Sequence, residues 1–386
     1  MSVAAEPEPV DDDIHVALVT PWQRRGGVAT YSERYARALE DNGARVTPIP
    51  TGTTTAANPM AYVGILDRVP EVADVIHVQF EAGLFGRLGV SGTGAPAFFL
   101  ALARQAVPAV VTLHEVHAAH PHQHMVADWV LRGRDTVLER LSLWAADATV
   151  VHTKAAADVL RDRHGDRDAV HRMLHPAEAE GDPVPANEAK RDFDLEGPVA
   201  LTFGFVEEKK RYQDVIRALP ELPDLTYVIA GGHRSGEGEA VEASCRALAK
   251  RLGVADRVRF LGYVEDRDVP TVFSAADIVV LPYERVTQSG VVNEALAYER
   301  PVVASALPAF EELEAEFNCL LTYERRGDLR ACLQRALQDE ETRTRLAARA
   351  REYVDTVSWD RFAKRSAEIY RSLSDSVPSD GATDHS

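Results

Sequence analysis

The chain has 386 residues, of which 45% are hydrophobic, and its formal net charge at pH 7 is −17. This length suits two domains of ordinary size, each able to bury its own core. The negative charge argues against a nucleic-acid partner, because a surface that follows phosphates needs a basic stripe. No apolar run approaches the roughly 20 residues that span a bilayer, and the acidic start of the chain is unlike a signal peptide. We therefore expect a cytoplasmic protein.

The basic residues are mostly arginine, since the chain contains only six lysines. An acidic, lysine-poor surface resembles those of proteins from salt-loving organisms, which stay soluble through strong hydration of their carboxylates. This halophile-like interpretation predicts a melting temperature that rises with molar KCl.

Neither the cysteines nor the histidines predict a metal centre. Cys245, Cys319 and Cys332 are scattered without disulfide or ligand spacing, so we expect plain thiols. A structural metal in the histidine-rich segment would need further ligands, and no second cluster supplies them. The histidines of that segment are His114, His117, His120, His122 and His124.

The first half of the chain alternates apolar runs typical of buried strands with helical periodicity, which predicts βαβ units and a parallel sheet. Residues 1–13 are polar and lack periodicity, so we expect a disordered tail. The predicted strands are Ile14–Thr20, Arg45–Ile49, Asp74–Phe80, Ala109–Leu113 and Asp147–Val151. The predicted helices are Val28–Asn42, Ala95–Ala106, His124–Ala145 and Lys154–His164.

The second half repeats this alternation after a proline-rich, acidic segment, which we interpret as a linker at 179–197. A second disordered tail is predicted at 374–386. The predicted strands are Val199–Phe205, Thr226–Ala230, Val258–Leu261, Ile278–Leu281, Val302–Ser305 and Cys319–Thr322. The predicted helices are Tyr212–Leu219, Glu237–Leu252, Val269–Ala275, Gly290–Tyr298, Gly327–Gln338, Glu340–Val354 and Trp359–Leu373.

The two alternating series predict an α/β fold with two doubly wound, Rossmann-like domains at 14–178 and 198–356. Open parallel sheets bind their ligands at the carboxyl ends of the strands. Two such sheets facing each other would place a ligand site in the cleft between them.

The stretch Leu281–Ser305 carries the clearest chemical pattern. After a buried strand and a polar turn, a helix begins at Ser289-Gly290. A helix start favours phosphate, because its N–H groups are unpaired and its dipole is positive there. Gly290 allows a ligand to approach the backbone, and Glu294, about one turn further, suits the hydroxyls of a ribose. The pattern indicates a nucleotide site; an ordinary strand–helix turn with a solvated Glu294 is the alternative.

This stretch resembles the donor-nucleotide segment of retaining GT-B glycosyltransferases of family 4, the glycogen-synthase-like superfamily. Members usually carry a Glu, a glycine-rich loop and a second Glu eight positions later. Glu294 matches the second Glu, and Thr287–Gly290 resembles a TQSG variant of the loop. Val286 stands where the first Glu is expected, and Glu284 is a candidate substitute for its contact with the donor sugar.

The start of the second domain resembles a family segment in which a Gly is followed six positions later by a Lys, here Gly204 and Lys210. An ammonium at that place can neutralise the leaving diphosphate. Relatives carry Arg directly after the Gly and Gly directly after the Lys. Phe205 and Arg211 occupy these positions here, so we expect Lys209 or Arg211 to compensate.

Two further glycines, Gly231 and Gly232, end a strand of the second domain. In relatives this turn holds the base and ribose side of the nucleotide. Tyr263, after the next strand, resembles a position whose neighbours contact the base.

Gly26 and Gly27 form a turn between the first strand and the first helix, where glycines allow close approach of a phosphate or sugar. The turn is not the G-x-G-x-x-G fingerprint, and no acid ends the second strand, which argues against a dehydrogenase. Family members carry a Gly-Gly loop in the same place, near the donor diphosphate and the acceptor. A plain tight turn is the alternative.

Polar residues also follow the predicted strands 74–80 and 109–113. His77, Gln79 and Glu81 resemble a family segment on the acceptor side, although a structural role suits buried His77 equally well. His114, followed by Glu115, resembles the family histidine that lies beside the donor sugar and supports the transition state. From physical grounds alone, a lone histidine is more often structural.

The predicted helix His124–Ala145 combines arginines with Trp129 and Trp144. Such a helix suits contact with a membrane surface that bears a lipid-linked acceptor, which would hold the protein at the inner face of the membrane. An ordinary amphipathic helix of the first domain is the alternative.

The resemblance covers about 14–373 and implies a hexosyltransferase that needs no metal or other cofactor. Its substrates would be a UDP- or GDP-sugar and a hydroxyl of a glycan, lipid or small molecule. The last helix, within 357–373, resembles one that crosses back onto the first domain. Implied catalytic residues are His114, Lys210 and Glu294. Implied donor contacts are Gly26, Gly27, Gly204, Lys209, Arg211, Gly231, Gly232, Gln288, Ser289, Gly290 and Val291.

Two other functions stay open. A GT-B nucleotide-sugar epimerase would need carboxylates around the sugar, and Val286 argues against it. A non-catalytic nucleotide-sugar binder would fit the departures from the family pattern at Phe205, Arg211 and Val286.

Overall fold

The computed structural model describes residues 14–24, 26–52, 58–88, 90–118, 125–233 and 236–374. The chain divides into two compact units. Unit 1 is Met1–Leu174 with Trp359–Ser386, and unit 2 is His175–Ser358. Most of both predicted tails lies outside the described residues.

The strands follow the apolar runs closely. They are β1 (His15–Thr20), β2 (Arg45–Pro50), β3 (Val75–Phe80), β4 (Arg87–Leu88), β5 (Val90–Ser91), β6 (Ala109–Leu113), β7 (Ala148–Val151), β8 (Val170–Arg172), β9 (Val199–Phe203), β10 (Thr226–Ala230), β11 (Val258–Gly262), β12 (Ile278–Leu281), β13 (Val302–Ser305) and β14 (Leu321–Tyr323).

The helices connect these strands. They are α1 (Gly27–Asp41), α2 (Met60–Val63), α3 (Ala95–Leu102), α4 (Met125–Ala145), α5 (Lys154–His164), α6 (Ala186–Asp192), α7 (Tyr212–Ala218), α8 (Gly236–Arg251), α9 (Val269–Ala275), α10 (Gly290–Ala297), α11 (Pro308–Phe317), α12 (Arg326–Gln338), α13 (Glu340–Thr356) and α14 (Trp359–Ser374).

Unit 1 is built on a parallel six-stranded sheet in the order β2-β1-β3-β6-β7-β8. Every residue of β1 and β3 is buried, as expected for strands covered on both faces. One face packs against α1 and α14, and the other packs against α3 and α4. The expected parallel, doubly wound sheet is confirmed.

Helix α14 belongs to unit 1 although it follows unit 2 in the chain. Its buried side is anchored by Tyr370, whose hydroxyl lies 2.6 Å from the hydroxyl of Tyr35 in α1. The same Tyr370 hydroxyl lies 2.5 Å from Nδ1 of His77 in β3. The expected return of the last helix to the first domain is therefore confirmed.

Unit 2 is built on a second parallel six-stranded sheet, in the order β11-β10-β9-β12-β13-β14. Helices α7, α8 and α12 bury apolar side chains against one face. The ring of Phe273 in α9 stacks on the ring of Tyr298 at the end of α10, with the ring centres 5.2 Å apart. This strand order is that of a Rossmann-type sheet.

The segment 179–197, interpreted from sequence as a linker, contains α6 and belongs to unit 2. Ala189 in α6 is fully buried, and the Lys190 ammonium lies 2.7 Å from the Asp277 carboxylate. The prolines did not prevent a helix, because Pro185 only precedes it and the following residues tolerate helical geometry.

Three structural facts bear on the expectations about the cysteines, a metal site and a membrane-spanning segment. All three cysteines are free thiols. Within the described residues, no group of three or more His, Cys, Asp or Glu side chains could hold a metal; His120, His122 and His124 lie outside them. No helix in that same part of the chain has the length and apolarity needed to cross a bilayer.

Candidate functional site

Each sheet contains a point where the strand order reverses, and open α/β sheets usually bind ligands there. In unit 2 this switch point lies between β9 and β12, and in unit 1 it lies between β1 and β3. Most of the candidate residues follow these four strands. The topology therefore gathers them at the carboxyl edge of each sheet.

Lys210 is the central charged residue at the switch point of unit 2. It ends a short 3₁₀ turn after β9, and its side chain is largely buried, with the residue only 6% exposed. Its Nζ donates a hydrogen bond to the carbonyl oxygen of Phe203 at 2.8 Å and lies 5.8 Å from the centre of the Tyr283 ring. A buried ammonium needs hydrogen-bond acceptors, so its bond to the Phe203 carbonyl fixes the position of Lys210 Nζ.

Gly204 and Gly231 allow the turns after β9 and β10 to pack directly against each other. Gly204 has a φ of +86°, and a Cβ there would lie 3.0 Å from Lys210 Nζ and 3.7 Å from a methyl of Val291. A Cβ on Gly231 would lie only 2.2 Å from the carbonyl oxygen of Gly204. The structure therefore brings Gly204, Lys210, Gly231 and Val291 together, as residues lining one edge.

The first turn of α10 adds backbone N–H groups to this edge. Ser289 is the N-cap in an extended conformation, and its Oγ accepts a hydrogen bond from the Val292 amide at 3.4 Å. Gly290 is exposed, and a Cβ there would meet nothing within 4 Å. Gln288 is half-buried in the loop before the helix. The start of α10 is thus open to a ligand on its Gly290 side.

Arg211, where relatives carry glycine, adopts the left-handed conformation with φ 54° and ψ 37°. Its guanidinium lies 3.5 Å from the Asp214 carboxylate and 3.4 Å from that of Glu284. The Glu284 amide in turn donates to the Lys209 carbonyl at 2.8 Å. The turn after Lys210 therefore keeps a glycine-like shape without glycine, and Glu284 lies beside it.

The side chain of Lys209 lies in a different environment from that of Lys210. Its ammonium lies 3.2 Å from the Glu207 carboxylate, and 39% of its side chain is exposed. Of the adjacent lysines, only Lys210 is held in the interior of the turn.

Glu294 holds the main chain of unit 2 in this structure. Its Oε1 accepts a hydrogen bond from the Glu180 amide at 2.9 Å, and the Tyr298 hydroxyl donates to the Glu180 carbonyl at 2.8 Å. A carboxylate offers about four acceptor positions, so this contact is compatible with further hydrogen bonds. The assignment of Glu294 to a ribose stays a prediction.

An aromatic pair beside the Gly231-Gly232 turn was not recognised as a unit in the sequence. The ring centres of Phe205 and Tyr263 lie 6.4 Å apart, and Tyr263 is 40% exposed. A Cβ on Gly232 would lie 3.1 Å from Tyr263 Cβ. The available signal was an aromatic residue close after each of two strands, Phe205 two positions after β9 and Tyr263 directly after β11.

In unit 1, Gly26 and Gly27 open α1 directly after the loop that follows β1. Gly26 is the N-cap with φ 147° and ψ 155°, a conformation that favours glycine, and no side chain caps the helix. A Cβ on Gly27 would meet nothing within 4 Å. The neighbouring Arg25 lies outside the described residues.

His114 and Gln79 form a buried pair at the ends of β6 and β3. The Nε2 atom of His114 lies 2.8 Å from Oε1 of Gln79, and the two residues are 4% and 0% exposed. Because an amide oxygen only accepts, His114 carries its proton on Nε2 in this pair. Nε2 of Gln79 is buried and makes no hydrogen bond with the described residues.

The ring of Tyr31, in α1, packs edge-on against His114 with the ring centres 4.9 Å apart. This contact was not predictable from sequence, because only the folded sheet brings α1 over β6. Tyr31 limits the orientations that the imidazole can adopt.

His77 has a structural role. Its Nε2 lies 2.7 Å from the Thr112 hydroxyl in β6, and its Nδ1 contacts Tyr370 in α14. Burial lowers the pKa of His77 to about 3, so the ring is neutral near pH 7. Both ring nitrogens are engaged by unit 1, which favours the structural interpretation of His77.

Two family models match the chain in consecutive blocks. "Glycosyl transferase 4-like domain" matches residues 10–174, and "Glycosyl transferases group 1" matches residues 184–353. Together they cover nearly all of the described chain. The protein therefore belongs to the family 4 glycosyltransferases of the GT-B type, as the resemblance indicated.

Proteins similar in sequence are also named as glycosyltransferases. The chain is 30% identical over 318 residues to a D-inositol 3-phosphate glycosyltransferase of Salinispora tropica, a match that covers 77% of this chain and 63% of the relative. It is 30% identical over 243 residues to one of Mycobacterium sp. (strain JLS), covering 62% and 52%. The matches thus span between about half and two thirds of these relatives' own length.

Solved structures show the same fold. Sucrose-phosphate synthase of Thermosynechococcus elongatus superimposes with a TM-score of 0.76 at 18% identity, covering 93% of this chain and 99% of the other. HepE of Anabaena, solved with UDP and glucose, gives 0.71 at 17% identity, covering 94% and 99%. At these identities the likeness supports the fold alone.

Proposed function

We propose that this protein is a metal-independent, retaining glycosyltransferase. It transfers a hexose-type sugar from a nucleoside diphosphate sugar, with a UDP or GDP carrier, to a hydroxyl of a glycan, lipid-linked or small-molecule acceptor. The observation that carries the proposal is the constellation at the switch point of unit 2. There a Cβ built on Gly204 would lie within 4 Å of both the buried Lys210 ammonium and Val291 in the first turn of α10.

This constellation suits a diphosphate. One ammonium held in a water-poor turn and the N–H groups of a helix start both favour negative charge. Charge grows on the diphosphate as the sugar–oxygen bond breaks, so a fixed cation stabilises the transition state more than the ground state. We assign the diphosphate to Lys210 with the amides of Ser289, Gly290 and Val291.

The remainder of unit 2 suits the nucleoside. Gly231 and Gly232 form the turn after β10, whose backbone we assign to the nucleoside, and the Phe205–Tyr263 pair offers aromatic surface beside this turn. Glu294 is assigned to the ribose hydroxyls. HepE of Anabaena has been solved in complex with UDP and glucose and in complex with UDP-glucose, which makes UDP-glucose the first donor to test.

We assign two roles to unit 1: it binds the acceptor, and it holds the donor sugar whose C1 atom reacts. The acceptor oxygen attacks C1 on the face that the diphosphate leaves, the C1–O bond breaks with its electron pair going to the diphosphate, and the acceptor proton passes to a departing phosphate oxygen. His114 and the Gly26-Gly27 loop frame the sugar in this scheme. No side chain serves as a covalent nucleophile.

The test is turnover with a panel of UDP- and GDP-sugars in the presence of EDTA. Acceptors should include D-inositol 3-phosphate, because the relatives are named for that substrate. We expect one nucleoside diphosphate released per new glycoside, unchanged by EDTA, with the anomeric configuration of the donor retained by NMR.

Variants make this test specific to unit 2. Lys210→Ala should lower kcat/KM by about 10²–10³-fold, whereas exposed Lys250→Ala in α8 should match the parent. Interconversion of the donor sugar without a glycoside would instead indicate an epimerase. Donor binding without turnover for any acceptor would indicate the non-catalytic binder that the departures at Phe205, Arg211 and Val286 suggest.

A further inference from the structure

Hydrogen bonds from α10 hold the first residues of unit 2, which begins at His175. The side-chain amide of Asn293 donates to the His175 carbonyl at 3.3 Å, and its oxygen accepts a hydrogen bond from the Tyr353 hydroxyl in α13 at 2.7 Å. Asn293 is buried. The main chain at the start of unit 2 is therefore attached to α10 through a buried side chain.

Further along this segment, α10 binds both main-chain groups of a single residue, Glu180. The Glu180 amide donates to Oε1 of Glu294 at 2.9 Å, and the Glu180 carbonyl accepts a hydrogen bond from the Tyr298 hydroxyl at 2.8 Å. Glu294 and Tyr298 are four positions apart, so they lie on the same side of the helix. The backbone at Glu180 cannot turn without breaking one of these two bonds.

The Tyr298 hydroxyl is held in place by the packing of its ring. The ring stacks on that of Phe273 in α9, with the two planes 10° apart. Both residues are buried, Tyr298 at 2% and Phe273 at 0% exposure. A buried side chain in a close-packed interior keeps one rotamer, so the hydroxyl reaches the Glu180 carbonyl from a fixed position.

The chain that follows Glu180 is held by α9. The Val184 amide donates to the hydroxyl of buried Ser274 at 3.0 Å. A Cβ on Gly181, where φ is +83°, would lie 3.4 Å from Cγ of Pro270. Because the segment is attached to unit 2 on both sides of Glu180, the Glu180 amide is a rigid donor for the Glu294 carboxylate.

We propose that Tyr298 is a positioning residue for Glu294 and that it acts through the main chain of Glu180. A glutamate side chain has several rotatable bonds, and ordering them during binding costs free energy. The bond from the Glu180 amide orders the carboxylate beforehand. The inference rests on the assignment of Glu294 to the ribose in the proposed function and adds the groups that set its orientation.

A carboxylate held in this way distinguishes a ribose from a sugar without hydroxyls. The 2′- and 3′-hydroxyls of a ribose donate to it, whereas a dideoxyribose has no donor to offer. We define the sugar discrimination as the affinity for UDP divided by that for 2′,3′-dideoxy-UDP, both measured by titration calorimetry. GDP and its dideoxy analogue replace them if the parent binds GDP instead. We expect a discrimination of about 10–100-fold for the parent and near one for Glu294→Ala.

Tyr298→Phe separates positioning from packing. The ring and its stack on Phe273 remain, and only the hydroxyl that bonds to Glu180 is removed. We expect the sugar discrimination to fall by about threefold to tenfold, while the affinity for the dideoxy nucleotide stays that of the parent.

Tyr227→Phe is the matched control in the same unit. It removes a buried hydroxyl of β10 that donates to Thr202 at 2.9 Å. Its sugar discrimination should equal that of the parent even where its melting temperature falls as far as that of Tyr298→Phe.

Hydrogen exchange of peptides that cover Glu180 reports the intermediate step. Without nucleotide, the Glu180 amide should exchange faster in Tyr298→Phe than in the parent, because its residue has lost one of its two bonds to α10. In Tyr227→Phe the exchange of this amide should match that of the parent.

Two results for a folded Tyr298→Phe protein would overturn the proposal: the parent's sugar discrimination, or a lower one with the Glu180 amide as protected as in the parent. An equal loss of discrimination in Tyr227→Phe would also overturn it. A parent that binds UDP and dideoxy-UDP equally would remove the ribose assignment of Glu294 and this inference with it, while the diphosphate assignment of Lys210 would stand. A parent that binds neither UDP nor GDP would overturn the proposed function itself, together with this inference.

Discussion

The two units place glycines at corresponding edges of their sheets, yet these glycines have different physical roles. In unit 2, a Cβ on Gly231 would collide with the Gly204 carbonyl at 2.2 Å, so protein packing alone requires glycine. In unit 1, a Cβ on Gly27 would meet nothing within 4 Å. Packing against protein therefore requires glycine at Gly231, whereas the space beside the backbone of Gly27 is open.

The polar residues at the two edges differ as well. Unit 2 fixes a cation, Lys210, against the Phe203 carbonyl. In unit 1, the imidazole of His114 and the side-chain amide of Gln79 form a buried hydrogen-bonded pair. A fixed positive charge suits a diphosphate, whereas the pair suits hydroxyl groups of a sugar. The assignment of donor to unit 2 and acceptor to unit 1 depends on this difference.

Substitution of the glycines should give the largest effect. We expect Gly231→Ala to lower the free energy of unfolding by about 3 kcal/mol, because the clash is with backbone that cannot move aside. Gly27→Ala should change it by less than about 1 kcal/mol. Urea denaturation of both variants measures the contrast, and equal effects would show that the two edges are packed alike.

Unit 1 should lose stability in acid through His77. Its folded pKa of about 3 lies below its ordinary value, so the unfolded chain binds the extra proton first. The contribution of neutral His77 is complete above the ordinary pKa and declines by up to about 1.4 kcal/mol per pH unit as pH falls towards the folded pKa. Hydrogen exchange of the β3 and α14 amides should report this decline.

The variant His77→Gln provides the control for that measurement. Its amide can hydrogen-bond Thr112 or Tyr370 but does not titrate, so the slope attributed to His77 should disappear. An unchanged slope would assign the acid sensitivity to other groups.

Removal of the amide beside His114 should affect turnover more than stability. Gln79→Leu leaves the Nε2–H of His114 without its acceptor, and we expect kcat/KM to fall by about 10–100-fold. Gln79→Glu keeps an acceptor but stabilises the protonated ring, so its pH–rate profile should shift to higher pH. Parent-like profiles for both variants would show that Gln79 does not act through His114.

Arg211 should give the smallest effect. Left-handed backbone costs a non-glycine residue about 1–2 kcal/mol, so Arg211→Gly should stabilise unit 2 slightly despite the lost ion pairs. Arg211→Ala keeps the strain and loses the pairs, and should be less stable than the parent. Thermal unfolding of the two variants separates backbone from side chain; a destabilised Arg211→Gly would show that the ion pairs dominate.

Much of the fold could be predicted because buried parallel strands are short, nearly continuous apolar runs. No helix was predicted from the sequence at α11, which buries Ala309, Phe310 and Leu313. Its ends carried usable signals: Pro308 in the first turn and Asn318 in the left-handed conformation that ends a helix.

The site was only partly predictable. The strand-end positions of Gly204, Lys210 and Gly290 follow from sequence pattern, because a strand followed by a helix marks the ligand edge. The pairing of Gln79 with His114 depends on the register of β3 and β6, which the sequence does not specify. The glycine-like turn at Arg211 depends on contacts with a loop more than 70 residues away, at Glu284.

The affinity of the Lys210→Ala variant for UDP and UDP-glucose, measured by titration calorimetry, tests the central claim most directly. Folding is checked by its melting curve, and Lys250→Ala serves as the control. We predict affinity about 10–100-fold weaker for Lys210→Ala and unchanged for Lys250→Ala, because only the former removes a charge-assisted contact to the diphosphate. A folded Lys210→Ala protein that binds both ligands as tightly as the parent would contradict the assignment of the diphosphate to Lys210.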